Sequence, residues 1–178
     1  RCNSTCQSDG ATALMALGAD ITLVSKSNER TIDLADFYTT DGIMPHACES
    51  NELLKEIIIP VFGAHSSYQR LAYRSAIDYP IVCAGVLLKP SLKNEIAEAR
   101  IVVGAMGRSP LFLAQISSSL KGKKLNDTIA FKKAADASMD SSATFAVHNV
   151  GATLEYRCSM VSQMVFQALE QTAETIKA

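Results

Sequence analysis

The chain contains 178 residues, enough for one domain or slightly more with a hydrophobic core that needs no disulfides. Its 17 Lys and Arg residues against 18 Asp and Glu residues give a net charge of −1, which argues against nucleic acid or an anionic membrane as partner. The longest apolar run, residues 57–63, contains Pro60 and is far shorter than the roughly 20 residues of a membrane span, so we expect a soluble protein.

The first third of the chain predicts one helix followed by strands. The predicted elements are a helix from Asp9 to Leu17, strands at 19–25 and 30–37, a loop at 39–51 and a strand at 52–60. Asp9 is a suitable N-cap for the helix, and Gly18 is a suitable stop. In the second strand, alternation predicts Ile32 and Leu34 on one face. Pro60 ends the last strand, and residues 61–67 read as a linker.

The remainder of the chain predicts a small sheet and then helices. The predicted strands are Ser67–Arg74, Pro80–Lys89 and Glu98–Ala105, and the predicted helices run from Pro110 to about Gly122, from Thr128 to Ser138 and from Ala152 to Ile176. The short connections between the strands favour an antiparallel sheet. The last helix carries an apolar stripe with steps of three and four, which predicts that this helix packs across the sheet. The residues of the stripe are Leu154, Cys158, Val161, Val165, Ala168 or Leu169, Thr172 and Ile176.

The cysteines give no pattern typical of a metal or redox site. They are Cys2, Cys6, Cys48, Cys83 and Cys158, an odd number without a Cys-x-x-Cys pair, so a reducing cytoplasm is the simplest compartment. A metal held by Cys2 and Cys6 would need two more ligands, and the three histidines are isolated in the sequence. We therefore expect no metal site. A hydrolase with a cysteine nucleophile is the other alternative, but no motif pairs a base with any of the cysteines.

A polar stretch precedes the first helix. It contains Asn3, Ser4, Thr5, Ser8 and Asp9. Short hydroxyls, an amide and exposed N–H groups at a helix N-terminus suit a ligand rich in phosphate or ribose hydroxyls, with the carboxylate accepting from a hydroxyl. Ordinary helix capping in a polar loop explains the same residues, and composition alone leaves both interpretations open.

Six segments carry a family resemblance. They are CNSTCQSDGATALMALGADITLVSKSNERTIDLADFY, ELLKEIIIP, YQRLAYRSAIDYPIVCAGVLL, RIVVGAMGRSP, LKGKKL and GATLEYRCSMV. In this order and spacing they resemble the FAD-carrying subunit of the molybdenum hydroxylases, a family that includes xanthine dehydrogenase and carbon monoxide dehydrogenase. The resemblance covers nearly the whole chain.

The resemblance implies that the polar stretch lies along the flavin nucleotide. Asn3, Ser4, Thr5 and Asp9 occupy positions that match the family pattern, and the aspartate is implied to lie near the ribose. Cys6 stands where the family usually has proline. The two cysteines of the stretch are then neighbours of a cofactor loop rather than the reacting groups.

Three further residues are implied to approach the flavin. Leu54 matches the apolar residue near the isoalloxazine, and Tyr68 and Arg70 match the family segment that carries a flavin-side cation. A cation at that edge would stabilise the reduced flavin. Alternatively, Tyr68 is an ordinary core aromatic and Leu54 an ordinary buried strand residue.

By resemblance, the fold is α+β: residues 1–62 end a two-subdomain FAD-binding domain, and residues 63–178 form a flavoprotein C-terminal domain with a three-stranded antiparallel sheet packed by helices. The family's glycine-rich FAD loops would precede Arg1, so we expect a missing N-terminal FAD-binding half on the same or another chain. The implied function is electron transfer through FAD, from 2Fe-2S clusters on one partner subunit and molybdopterin on another, to NAD or another acceptor. The resemblance implies no residue here that touches the hydroxylated substrate. A non-catalytic subunit that keeps the fold without flavin is the alternative.

Overall fold

A computed structural model of the chain describes residues 4–60, 63–149 and 151–177. The helices are α1 (Asp9–Ala16), α2 (Leu34–Phe37), α3 (Ala114–Ser119), α4 (Thr128–Phe145) and α5 (Leu154–Lys177). The strands are β1 (Asp20–Val24), β2 (Glu29–Asp33), β3 (Leu53–Ile58), β4 (His65–Leu71), β5 (Val82–Pro90), β6 (Ile96–Gly104) and β7 (Leu111–Phe112). They form two antiparallel sheets, with strand orders β2-β1-β3 and β4-β5-β6-β7.

The N-cap of helix α1 lies one residue earlier in the chain than predicted. Ser8, rather than Asp9, is the N-cap, and its Oγ accepts a hydrogen bond from the N–H of Ala11 at 3.1 Å. The prediction that Asp9 caps this helix is therefore wrong, and its carboxylate is available for other partners. Gly18, at φ +69°, ends the helix in the left-handed conformation that glycine adopts without strain.

The second predicted strand is shorter than expected because a helix interrupts it. The carboxylate of Asp33 accepts from the N–H of Ala35 at 2.7 Å, and this cap turns the chain into α2. Leu34 is buried as the first residue of that helix, so the prediction that it lies on a strand face beside Ile32 is wrong.

Strand β3 is an apolar edge. It pairs with β1 in the described part of the chain, and all of its residues are exposed. The side chains of Leu53, Leu54, Ile57 and Ile58 are between 43% and 74% exposed. Exposed contiguous apolar surface of this kind is typical of a face that another chain or segment covers.

The second sheet contains the three predicted strands and one addition. The two-residue strand β7 pairs with β6, where the sequence had predicted the start of a helix at Pro110. Helix α3 begins only at Ala114. Strand β4 begins at His65, so the predicted linker is shorter than expected.

Helices cover both faces of the second sheet. Helix α5 packs on β4 and β5 and against α4, whereas α1 packs on β5 and β6. The centre of the predicted α5 stripe is buried, which confirms it: Val161, Val165, Ala168, Leu169 and Thr172. Helix α4 extends past the predicted end at Ser138, whose buried hydroxyl donates to the carbonyl of Ala134 at 2.7 Å and so is satisfied within the helix. In the described ranges, no helix has both the length and the apolarity to span a bilayer.

Candidate functional site

Three residues that the sequence singled out lie in contact. The Oη of Tyr68 donates a hydrogen bond to Asp9 Oδ1 at 2.5 Å, and Arg70 Nε lies 3.4 Å from the same oxygen. Nη2 of Arg70 also donates to the carbonyl oxygen of Asp78. We call Asp9, Tyr68 and Arg70 the Asp9 cluster. It joins the N-terminal turn of α1 to strand β4.

The period of strand β4 creates this cluster. Tyr68 and Arg70 are two residues apart and so point to the same side, toward α1. On the other side, Ser67 Oγ donates to the carbonyl of Ala168 in α5 at 2.7 Å. Strand β4 therefore uses one face for the core and the other for the Asp9 cluster.

Two strand glycines allow α1 to approach the sheet closely enough for these contacts. A Cβ on Gly85 would lie 2.8 Å from the Cβ of Ala16, and one on Gly104 would lie 2.2 Å from Thr12 Oγ1. No ordinary side chain fits at such distances. Glycine inside a strand often marks a close approach of this kind. The motifs CAGVLL and VVGAM carried this signal, although we did not predict the packing from it.

The electrostatics of the cluster favour a neutral tyrosine that donates to a carboxylate. Burial raises the pKa of Tyr68 above its usual value of 10.0, and the neighbouring Cys83 and Asp9 raise it further. Asp9 Oδ2 has no hydrogen-bond donor among the described residues, and the Asp9 side chain is 44% exposed. Arg70 Nε is buried and lacks a hydrogen-bond acceptor within the same ranges. The cluster thus retains an acceptor oxygen and a buried donor.

The polar stretch before α1 is held by the loop after β6. The N–H of Cys6 donates to the carbonyl of Gly107 at 2.8 Å, and the N–H of Ala105 donates to the carbonyl of Cys6 at 3.2 Å. Nδ2 of Asn149 donates to Thr5 Oγ1 at 2.7 Å. The stretch is therefore fixed at two points beside the Asp9 cluster.

A buried arginine supports that loop. Arg157 is only 2% exposed, and its guanidinium donates to the carbonyls of Val147 at 2.7 Å, Met106 at 3.3 Å and Ala105. The side chain thus satisfies backbone acceptors and makes no ion pair among the described residues, and burial lowers the pKa of Arg157.

The other predicted site residues lie apart from the cluster or outside the described ranges. Asn3 lies outside the described residues. Ser4 is exposed at the start of the described chain. Leu54 lies on β3, in the other sheet, where it pairs with Leu23 and is 47% exposed. The expectation that it is a buried strand residue is therefore wrong, and its predicted place near the isoalloxazine stays a prediction.

Sequence reasoning did not identify Cys83 and Thr12, which lie beside the cluster, as residues of the site. Cys83 is fully buried opposite Arg70 in the sheet, and its Sγ lies 3.7 Å from Thr12 Oγ1. Burial also raises the pKa of the Cys83 thiol, and a thiol that is closed off from solvent in this way is typical of a structural cysteine. Neither residue belongs to a motif with its own chemistry, so no local pattern indicated them.

The cavities at the cluster are small. One of about 230 Å³ is lined in part by Tyr68, Gly85 and Ala16, and one of about 240 Å³ is lined in part by Asp78, Asn149 and Arg157. Each is below the roughly 300–1,000 Å³ of typical ligand pockets. Within the described ranges, no three His, Cys, Asp or Glu side chains are grouped so as to hold a metal ion.

Two family models match the chain in succession. The FAD binding domain in molybdopterin dehydrogenase matches residues 2–62, and the CO dehydrogenase flavoprotein C-terminal domain matches residues 66–172. Asp9 lies in the first match, and Tyr68 and Arg70 lie in the second. The cluster therefore forms where the two matched regions meet.

Curated relatives carry names from the same group of enzymes. The glyceraldehyde dehydrogenase medium chain of Sulfolobus acidocaldarius is 31% identical over 128 residues, which cover 71% of this chain and 44% of that protein. The aldehyde oxidoreductase FAD-binding subunit PaoB of Escherichia coli is 27% identical over 114 residues, which cover 61% of this chain and 34% of that protein. The chain thus spans less than half the length of these relatives.

Solved structures share the fold. The CO dehydrogenase from Oligotropha carboxidovorans superposes with a TM-score of 0.80 at 27% identity, covering 93% of this chain and 56% of that chain. Quinoline 2-oxidoreductase from Pseudomonas putida 86 superposes with a TM-score of 0.81 at 19% identity, covering 98% and 59%, and supports the fold alone. The chain belongs to the FAD-carrying subunits of the molybdenum hydroxylase family, whose members are parts of oxidoreductases.

Proposed function

We propose that this chain is the C-terminal part of an FAD-binding electron-transfer subunit of a molybdopterin hydroxylase or dehydrogenase. Electrons would come from 2Fe-2S clusters on one partner subunit, after substrate oxidation at molybdopterin on another, and leave to NAD or another acceptor. The observation that carries the proposal is the Asp9 cluster, because it joins the two matched family regions and keeps unused hydrogen-bonding capacity.

The residues of the cluster fit part of a flavin nucleotide. A half-exposed carboxylate with an unused oxygen can accept from a ribose hydroxyl, and the partly exposed guanidinium of Arg70 adds a permanent positive charge beside it. FAD, when bound, supplies the electron chemistry that no amino-acid side chain provides, by exchanging electrons with both one-electron and two-electron partners. The chain's own residues bind and orient it.

Each residue then has a distinct role. Asp9 accepts from the nucleotide, and Tyr68 holds that carboxylate in place through its 2.5 Å hydrogen bond. Arg70 places a permanent positive charge beside the flavin, which favours the reduced form. Thr5, held by Asn149, lines the nucleotide path. Leu54 offers an apolar surface.

The described residues supply only part of a site for so large a cofactor. The cavities at the cluster are small, β3 is an exposed apolar edge, and the chain spans less than half of its curated relatives. These features support an N-terminal FAD-binding half that covers the remaining flavin surface, on the same or a separate chain. We further propose a division at residues 1–62 and 63–178, iron-sulfur and molybdopterin subunits as partners, and a cytoplasmic location.

The flavin content of the protein purified with its partners tests this proposal. We expect about one FAD per chain, released on denaturation, and a marked loss in the Asp9→Ala, Arg70→Gln double variant. Lys26→Gln, an exposed turn residue, is the matched control. A correctly folded complex without flavin would instead support a non-catalytic subunit that keeps the fold alone.

A further inference from the structure

A cavity larger than those at the Asp9 cluster lies far along the chain from that cluster, between helices α3 and α4. It is an open groove of about 540 Å³, lined mainly by apolar side chains. Ile116 and Leu120 line it from α3 and its C-terminal end, and the small Ala130, Ala134 and Ala137 line it from α4. The spacing of these residues is that of helix faces, so the groove runs between two helices.

The surroundings of the groove are strongly basic. Residues 121–133 contain five lysines and one aspartate, a local charge of +4 in a chain whose net charge is −1. All five lysines are exposed. Lys124 pairs with Glu95 and Lys132 with Asp136, each at 2.9 Å, but Lys121, Lys123 and Lys133 have no ion-pair partner in the ranges that the structure describes.

The single acid in the groove does not cancel this charge. Asp127 is the N-cap of α4, where its Oδ1 accepts from the N–H of Ala130 at 2.9 Å. The negative charge of Asp127 therefore interacts with the positive N-terminal end of the α4 helix dipole. Lys123 and Lys133 both line the groove, and Ile129, 72% exposed, adds an apolar side chain to it.

We propose that this groove docks an acidic amphipathic helix of a protein partner. An apolar floor with small alanines admits the apolar face of an incoming helix, as in helix-in-groove recognition, and unpaired lysines complement carboxylates along its flanks. Burial of the exposed Ile129 side chain removes apolar surface from water, and the lysines at the rim favour a partner that carries carboxylates. The inference is independent of flavin binding, because it uses neither the Asp9 cluster nor β3.

Three fluorescein-labelled peptides test the proposal by fluorescence anisotropy with the purified protein. The first has leucines at i, i+3, i+4 and i+7 flanked by glutamates. The second replaces each glutamate by lysine, and the third is a scrambled isomer of the first. We expect binding of the first peptide only, with an affinity that falls as salt increases.

Variants assign the binding to the groove. The Lys123→Glu, Lys133→Glu double variant should weaken binding of the first peptide by about tenfold, since each rim charge contributes modestly. Ile129→Asp should weaken binding as well, and because all three substituted positions are exposed, we expect these variants to keep the fold. Lys26→Glu, an exposed lysine in the β1–β2 turn, should leave the affinity unchanged.

Three results would overturn the proposal. The scrambled isomer could bind as tightly as the patterned peptide, which would reveal charge attraction without a groove. The double charge reversal could leave the affinity unchanged, which would place the binding elsewhere. Vesicles containing phosphatidylglycerol could bind the protein through Lys123 and Lys133 while the peptide does not, which would assign the surface to a membrane.

Discussion

Replacing Asp9 by alanine should reduce FAD retention without unfolding α1. The carboxylate accepts from Tyr68 and has a second oxygen without a donor, so its proposed bond to the nucleotide is a hydrogen bond to a charged group. Such bonds contribute about 1.5–3 kcal/mol. Because the Asp9 side chain is 44% exposed, we take the lower end, which corresponds to about a tenfold rise in the dissociation constant.

The structure supplies a matched control for this substitution. Ser8 caps α1 through the N–H of Ala11, and Ser8→Ala should cost about 1 kcal/mol of folding free energy. Asp9→Ala should cost a similar amount, because it leaves the hydroxyl of Tyr68 without its acceptor. The two variants should therefore have similar stability, and only Asp9→Ala should lose flavin.

The assay compares two quantities on the same preparations. Urea unfolding followed by circular dichroism gives the free energy of unfolding, and the FAD released per folded chain after gel filtration gives retention. The reasoning fails if Asp9→Ala retains FAD as the unmodified protein does. It also fails if Ser8→Ala loses as much FAD at equal stability, because the loss would then follow from the helix end and not from the carboxylate.

Four further substitutions test the surroundings of the site and the fold. Arg70→Gln should lower the flavin midpoint potential, because it removes a positive charge that favours the reduced flavin. We expect a shift of only about 20 mV, or ~1 kcal/mol for two electrons, since the nearby Asp9 carboxylate already offsets part of that charge. An unmoved potential in a redox titration would refute this. Tyr68→Phe should make the alkaline limb of the stability curve shallower, since a raised pKa gives stability that is present below the usual value of 10.0 and lost as pH rises above it. Glu52, just before β3, accepts hydrogen bonds from the guanidinium of Arg30 and from the N–H of Glu49, and these lower the pKa of its carboxyl from 4.5 to about 2. The stability that the folded protein gains from this carboxylate is therefore present above pH 4.5 and lost as pH falls through about 2. Glu52→Gln should flatten that acid limb, and an unchanged pH dependence of unfolding would contradict the assignment. Gly104→Ala would place a methyl group 2.2 Å from Thr12 Oγ1 and 2.6 Å from Cys83 Sγ, and should destabilise the fold by about 1–3 kcal/mol in urea unfolding. A second change, Thr12→Ala, should recover part of the loss, and a Gly104→Ala variant as stable as the unmodified protein would contradict this close packing.

Local periodicity determined much of the secondary structure. The stripe of α5 follows steps of three and four, and its centre is buried as predicted. The strands β5 and β6 were evident because β-type runs are separated by turn residues. The candidate cofactor residues came from the family resemblance, since no single motif has a chemistry of its own.

Boundaries that depend on competition between local signals were predicted less well. Residues 34–37 continue an apolar pattern, but the Asp33 cap starts a helix there. Leu111 and Phe112 follow a proline that suits a helix start, yet they pair with β6 because a strand edge is available beside them. Ser138 resembled a helix end, but its hydroxyl is satisfied inside the helix.

Only the tertiary structure decided how the site is assembled. Asp9 and Tyr68 are separated by 59 positions in the sequence, and they meet because Gly85 and Gly104 let α1 lie directly on the sheet. The choice of Ser8 as cap releases the Asp9 carboxylate for that contact. Sequence periodicity shows which side of a single helix or strand is apolar. How closely two such elements approach depends on the shapes of the side chains between them, and these shapes fit together only in the packed structure.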